Sequence, residues 1–438
     1  MGCIGTTWRP IVKDESLEMN NLEIAEKEPA RSLTKTALPQ TRARLSSFQV
    51  LTIMVALVMT STVSFLGGVI YDRRTGDAYS DEFQVFWETW NTVDKEFYGD
   101  MPNRQDRVYG AIQGFITTLN DPFTAFVVPE QADIHRQFMS GKFGGIGASV
   151  SIDANGEPYI TRLLRGNPAE KAGLEPLDVI KGVDGQSVQG MTLDEVVDLI
   201  KGDVGTEVVL TIYRPSQDTT FDQPIMRAVI EELTAYSGMI GDIGYLRLSS
   251  FNAVSASQTE RELQSLLDQD PRAIVFDLRG NGGGLLDEAV KIADMFLDEG
   301  LVLTERSRSG DEERYVSDSG DLGERVPVVI LIDGNSASAS EVVAGALQDR
   351  DRAVLIGQKS YGKGSVQLVH DLPGGEQLRV TIAAWYTPDD RRIHGTGLEP
   401  DVVVEGDQFD AQGNDLYLDA AIDYINATYP RDPHIFGG

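Results

Sequence analysis

Val326-Pro-Val-Val-Ile-Leu-Ile332-Asp-Gly-Asn-Ser336-Ala-Ser338-Ala-Ser340-Glu341-Val-Val-Ala-Gly-Ala-Leu347 holds an uninterrupted apolar run, a Gly/Asn turn, and a stretch rich in small and apolar helix formers. The run reads as a strand buried on both faces over Val326–Ile332, and the last part as a helix over Ser338–Leu347. A strand that passes directly into a helix is the repeating unit of an α/β sheet. The same texture extends outward: Ala273–Leu278 is another apolar strand, Leu285–Leu297 a helix, and Ala353–Ile356 a third strand. Together these predict an α/β core with a largely parallel sheet.

Upstream the texture changes. Gly147–Ile152, Pro158–Leu163, Asp178–Val183 and Glu207–Tyr213 read as short strands between glycine turns, with one amphipathic helix over Thr192–Ile200. Earlier still, Asp81–Tyr98 and Arg107–Leu119 place apolar and aromatic residues at helical spacing, which predicts two helices whose aromatics enter a core.

Leu45–Tyr71 contains no charged residue, and twenty-seven uncharged residues can cross a bilayer as a helix. A cleaved export signal or a buried helix are the other readings of this run. The twenty residues before it carry five Lys/Arg and the twenty after it two, which places the tail in the cytoplasm and the rest outside. Met-Gly2-Cys3-Ile-Gly-Thr6 formally fits an N-myristoylation pattern, read as coincidence beside a spanning helix. The expected organisation is a tail (1–44), a transmembrane signal anchor (45–71), a helical segment (72–140), a β-rich module (141–230), an α/β core (231–405) and a C-terminal extension (406–438).

Composition narrows the chemistry. The 438 residues carry a formal charge of −30, and residues 45–438 alone carry −31, so nucleic acid is a poor partner. Cys3 is the single cysteine and no histidines fall at zinc-ligand spacing, so neither a disulfide, a thiolate metal site nor a zinc hydrolase is expected. Gly357-Gln-Lys-Ser-Tyr-Gly362-Lys363-Gly364 lacks the hydroxyl residue that a phosphate loop needs after its lysine. Gly280-Asn-Gly282-Gly-Gly284 lacks the third glycine of a dinucleotide fingerprint, since Leu285 stands there. No cofactor is expected.

Two segments carry candidate chemistry. A serine at the strand-to-helix turn exposes its Oγ beside helix N-terminal amides able to hold an oxyanion, although Ser338-x-x-Glu341 is also a plain capping box. A lysine between two glycines can be held in a dry corner and lose its proton, although a solvated loop lysine is the simpler reading. A Ser/His/Asp arrangement through His370 stays open on chemistry alone.

Ser336-Ala-Ser-Ala-Ser-Glu-Val-Val-Ala-Gly-Ala-Leu-Gln-Asp349 followed by Gly362-Lys-Gly-Ser-Val-Gln367 resembles the C-terminal processing peptidases, also called tail-specific proteases. So do Leu119-Asn-Asp-Pro-Phe-Thr-Ala-Phe126, Asp277-Leu-Arg-Gly-Asn-Gly-Gly-Gly-Leu-Leu286 and Gly395-Thr-Gly-Leu-Glu-Pro-Asp401. The resemblance implies a multidomain α+β protein with a helical N-terminal segment, an inserted PDZ domain and a protease core like that of crotonase and ClpP. It implies Ser338 as nucleophile, Lys363 as general base, Gln367 positioning the lysine, and an oxyanion hole from the N–H groups of Ala339 and of Gly283 or Gly284, assigned to Gly284. The chain departs from the family at Gly282, where proline is usual, and a glycine loosens that loop.

The β-rich module resembles a PDZ domain through Phe143-Gly-Gly-Ile-Gly147, Gly166-Asn-Pro-Ala-Glu-Lys-Ala-Gly173 and Gly205-Thr-Glu-Val-Val-Leu210. That implies capture of a terminal carboxylate by Gly145, Ile146, Gly147 and Ala148 while the peptide adds as a strand beside Ala148–Ser151. Leu177 stands where the family commonly has glycine. The expected partners are proteins or peptides with free C-termini and the membrane through the anchor, with a homo-oligomer left open. The alternative is a membrane-anchored PDZ scaffold whose core is inactive.

Overall fold

The computed structural model describes residues 80–430, together with Met59. The expected tail and anchor lie outside the described residues, among which no helix is long and apolar enough to cross a membrane. The chain divides into two compact units, Met1–Met101 and Pro102–Gly438.

In the first unit Ser80–Glu96 is a helix. Its aromatics, expected in a core, are exposed at Phe83 and Trp87. The rings instead contact each other along the helix, Phe86 edge-on to its neighbour Trp87 (5.1 Å between centroids) and tilted against Trp90 one turn on (5.9 Å).

In the second unit a six-stranded sheet runs in the order Ala235–Ile240, Ile243–Leu248, Ala273–Asp277, Val328–Ile332, Ala353–Gly357, Val402–Val403. Its first pair is antiparallel and the rest are parallel, as the apolar runs predict. Alternation along the strands sends Ile274, Phe276, Val328, Ile330 and Leu355 to one face, under the helices Ser255–Leu267, Leu286–Asp294 and Ala339–Asp349. Val275, Val329, Leu331 and Ile356 point to the other face. There Tyr417, Ala421 and Ile425 of the helix Leu416–Thr428 cover them, so part of the stretch set apart as a C-terminal extension completes the core.

A second sheet is antiparallel: Ala125–Val127, Gln377–Tyr386, Gly300–Ser307 and Glu312–Ser317, with Ser365–Asp371 also paired to Gln377–Tyr386. It carries the lysine segment and forms a wall over the helix that begins after Ser338.

The β-rich module has its own sheet, Ala148–Ile152, Pro158–Leu163, Val179–Val183, Glu207–Arg214, Thr219–Met226, around a separate apolar core that includes Ile160, Ile180, Val196, Leu210 and Ile212. Its helix Leu193–Ile200 opens with a Thr192/Glu195 capping box. Lys142–Gly145 pairs with Ala228–Glu231, so one two-stranded stem carries the chain into and out of the module. Ala148–Ile152 lies at the sheet edge.

Candidate active site

The serine run is built by its outer members. Ser336 and Ser340 are fully buried; the Ser336 hydroxyl donates to the Leu278 carbonyl (2.9 Å) and the Ser340 hydroxyl to the Asn281 carbonyl (2.8 Å). Both tie the turn to the neighbouring glycine loop. The middle residue, Ser338, lines a cavity of about 460 Å³. Its backbone has φ 55° and ψ −114°, a conformation that costs a non-glycine residue about 1–3 kcal/mol and persists only where the surroundings enforce it.

The enforcing group is Glu341. Its buried carboxylate accepts the N–H of Ser338 (2.8 Å), the N–H of Gly362 (2.7 Å), the N–H of Lys363 (2.9 Å) and the Ser360 hydroxyl (2.5 Å). One side chain therefore holds the serine turn and the lysine loop in register. A capping box explains only the first of these four bonds.

The glycines flanking Lys363 allow close approach to the Ile393–Gly397 turn. A Cβ on Gly362, whose φ is +92°, would fall 2.8 Å from the Gly397 nitrogen, and one on Gly364 2.8 Å from that of His394. Lys363 faces the cavity with its Nζ 5.1 Å from the Phe123 ring centroid. That ring is placed by Asp121, which accepts the Phe123 and Thr124 N–H groups (3.1 Å each) and the Thr124 hydroxyl (2.7 Å). Burial lowers the Lys363 pKa from its usual value and the positive Arg379 lowers it further, against smaller opposing effects of Asp121 and Glu341.

The glycine loop supplies the opposite wall. Asn281 is fully buried; its side chain donates to the Leu248 carbonyl (3.0 Å) and accepts the Gly283 N–H (2.9 Å), while its carbonyl accepts the Ala337 N–H (3.0 Å). Phe251 brackets Gly284, accepting the Leu285 N–H (2.7 Å) and donating to the Gly283 carbonyl (3.1 Å). The Gly283 N–H is thus committed, whereas the N–H groups of Gly284 and Ala339 make no hydrogen bond among the described residues, and both residues line the cavity. Gly282 is exposed, with open space where a Cβ would stand, so the loop is held from the residues on either side of it. Arg279 anchors its start in a buried pair with Asp277 and reaches Asp415, the cap of the helix Leu416–Thr428 (2.7 Å).

Gln367 lines the same cavity, but its amide nitrogen donates to the Ser365 carbonyl (3.1 Å) and hydroxyl (2.9 Å), not to Lys363. His370 is exposed and absent from the cavity wall; pairing places it opposite Leu378, on the other face of the sheet from Gln367 and Arg379. The histidine that does line the cavity is His135, unassigned by the sequence, with Nδ1 3.2 Å from Gln377 Oε1. Burial lowers its pKa from the usual value, and so does Arg379. Its arrival from a helix more than two hundred residues away leaves no local signal.

In the module, a groove of about 360 Å³ is lined by Gly145, Ile146, Gly147 and Ala148, with Arg162 and Lys201 at its edge. Gly145 ends the stem strand, paired with Ala228. The Ile146 carbonyl accepts the Ala169 N–H (2.8 Å) and the Gly147 carbonyl the Leu164 N–H (2.9 Å); the N–H groups of Ile146 and Gly147 make no hydrogen bond among the described residues. Gly147 has φ +75°, and a Cβ there would lie 2.3 Å from that of Asn167. At the departure noted in the sequence, Leu177 adopts φ 73°.

Comparison with known proteins agrees with this architecture. Residues 242–404 match Peptidase family S41 and residues 136–213 match the PDZ domain. The chain is 40% identical over 313 residues to a carboxy-terminal-processing protease of Bartonella bacilliformis, covering 70% of this chain and 72% of that one. It is 33% identical over 369 residues to a probable CtpA-like serine protease of Staphylococcus aureus, covering 83% and 74%. Among solved structures, a photosystem II D1 C-terminal processing protease shares 28% identity with a TM-score of 0.45, covering 80% of this chain and 95% of that one. The chain belongs to Peptidase family S41, as a serine-type C-terminal processing protease with a PDZ domain.

Proposed function

We propose that Ser338 and Lys363 form the catalytic dyad of a serine endopeptidase that cuts substrates presented by their free C-termini. The observation that carries this reading is the Glu341 carboxylate, which holds a strained serine turn and a desolvated lysine loop on one cavity. Lys363, once neutral, takes the Ser338 proton; the hydroxyl oxygen attacks the scissile carbonyl, and the N–H groups of Gly284 and Ala339 receive the developing negative charge. The amine leaves with the proton that Lys363 returns, and water repeats the sequence on the acyl-enzyme. Gln367 acts on Lys363 only through the Ser365 segment. The PDZ groove takes the terminal carboxylate at Gly145–Ala148 while the peptide pairs with the edge strand Ala148–Ile152. Leu45–Tyr71 tethers the enzyme to the cell membrane with residues 72–438 outside, a reading supported by the lysine and arginine excess before that run.

Single substitutions test the dyad. Ser338→Ala and Lys363→Ala should each lower kcat at least ~10³-fold, and the double variant should be no worse than either. Lys363→Arg should fail equally, since a guanidinium keeps its proton. Folding is checked by circular dichroism. A folded Lys363→Ala protein that still cuts, alongside a silent His135→Ala protein, would move the base to His135 and refute the dyad. His370→Ala should leave the rate within a few-fold.

A further inference from the structure

Arg379 is a half-buried cation without an ion-pair partner among the described residues. It lies in the strand Gln377–Tyr386, opposite Val369 in one neighbour and Ala125 in the other. Strand pairing puts it on the face shared with Val369 and Gln367, and all three line the active-site cavity with Ser338 and Lys363. Its Nε is buried without a hydrogen-bond partner, and the side chain makes no ion pair among the described residues. The two carboxylates that act on neighbouring Lys363 are already engaged, Glu341 by four donors and Asp121 by Phe123 and Thr124. In a chain with 68 acidic residues against 38 basic ones, a guanidinium left unpaired at a cavity wall stands out from its surroundings. Such a group is costly to bury alone and forms short, geometrically specific pairs when a carboxylate arrives.

We infer that Arg379 is a specificity-determining subsite for a substrate carboxylate beside the scissile bond. This deepens the peptidase reading and rests on it. Val342, Val366, Val369, Leu286 and Trp385 line the cavity beside polar groups that include His135, Ser250 and Gln367, none of them an anion, so a bound peptide that displaces water from the guanidinium must itself supply the replacement charge. A peptide bearing a carboxylate does so; a carboxamide twin leaves the cation short of a partner, which is how polar sites reject isosteres.

The test uses the purified protein and two pairs of peptides on the alkaline plateau of the reaction, where the charge of Lys363 no longer limits the rate. One pair differs by Glu against Gln, scanned through the positions flanking the cut. The other differs by a free against an amidated C-terminus. The ratio of kcat/KM for the acid over its amide should be at least ~10 in one pair and fall to near one in Arg379→Gln. In Arg379→Glu it should favour a lysine-bearing peptide. Collapse confined to the first pair assigns a side-chain carboxylate, and collapse confined to the second assigns the substrate terminus. Equal losses on acid and amide would make Arg379 a positioning residue acting through Lys363 and overturn the subsite. A wild-type ratio of one would overturn it while leaving the peptidase intact. A wild type that cuts no peptide would sink the peptidase reading and the subsite together.

Discussion

The catalytic cleft and the PDZ groove are cavities of similar size, about 460 and 360 Å³, and both are built on glycine-rich turns, yet they are held in opposite ways. In the cleft, loops from distant parts of the chain are cross-linked by buried polar groups: Glu341 joins the serine turn to the lysine loop, and Asn281 joins the serine turn to the glycine loop. The groove depends on a left-handed glycine, packed carbonyls and an open sheet edge. A network of buried charge fails when any member is removed, because the partners left behind are unsatisfied. A groove made of backbone responds mainly to ligand chemistry and steric change.

The largest effect should therefore follow from Glu341→Ala. Four donors lose their acceptor inside the core, so stability should drop by about 3 kcal/mol or more and cleavage should fall at least ~10³-fold. Urea unfolding and peptide hydrolysis measure the two effects. A variant that keeps both would show that the loops hold themselves and would erase the contrast with the groove.

Next in size is the pH dependence of the cleft. Lys363 must be neutral to accept the serine proton, so kcat/KM should rise with pH and level off below the ordinary lysine value of 10.5, because burial and Arg379 lower its pKa. Arg379→Gln removes one lowering cause and should move the inflection to higher pH. Asp121→Asn removes a negative charge that favours the protonated form and should move it to lower pH. Shifts in the reverse directions would contradict the assignment of Lys363 as base. Amidated substrates, kept well below saturation so that the rate reports kcat/KM, keep the groove out of this measurement.

For the groove, amidating the substrate terminus should raise KM about tenfold with little change in kcat, and Gly147→Ala should do the same to free peptides by disturbing the turn against Asn167. If kcat falls in parallel, the groove governs the catalytic machinery as well as the affinity.

What could be read from the sequence follows the same division. Val328–Ile332, Ala339–Asp349 and the parallel sheet are continuous apolar or periodic runs, and the serine and lysine blocks carry local spacing, so these were legible. The antiparallel wall was not: in Gln377-Leu-Arg-Val-Thr-Ile the inward residues Gln377 and Arg379 are the polar ones, which inverts the usual alternation. The four bonds of Glu341 were hidden as well, since three reach residues nineteen to twenty-two positions away and no periodicity encodes them. Asn281, Arg379 and His135 meet at the cavity only through sheet register and helix packing.

The smallest effect sharpens the comparison most directly, because cleft and module each hold a strained non-glycine residue: Ser338 at φ 55° and Leu177 at φ 73°. Strain of this kind costs about 1–3 kcal/mol, and a glycine relieves it at the expense of about 0.4–1 kcal/mol of extra unfolded-state entropy. The Leu177 side chain is 65% exposed and buries little apolar area, while its N–H is fixed by the Ile160 carbonyl at 2.7 Å, so the turn keeps its shape when the side chain is removed. Leu177→Gly should therefore raise stability by about 0.5–1 kcal/mol in urea unfolding and leave hydrolysis unchanged. Ser338→Gly should also gain stability, since glycine serves nearly as well as serine at a helix N-cap, but it should be inactive for want of the hydroxyl. Strain at Leu177 then serves no reaction, whereas strain at Ser338 presents the nucleophile to the cavity. A Ser338→Gly protein less stable than wild type would mean that the turn draws more from the serine side chain than its backbone conformation costs, and the two sites would differ in energetics as well as in purpose.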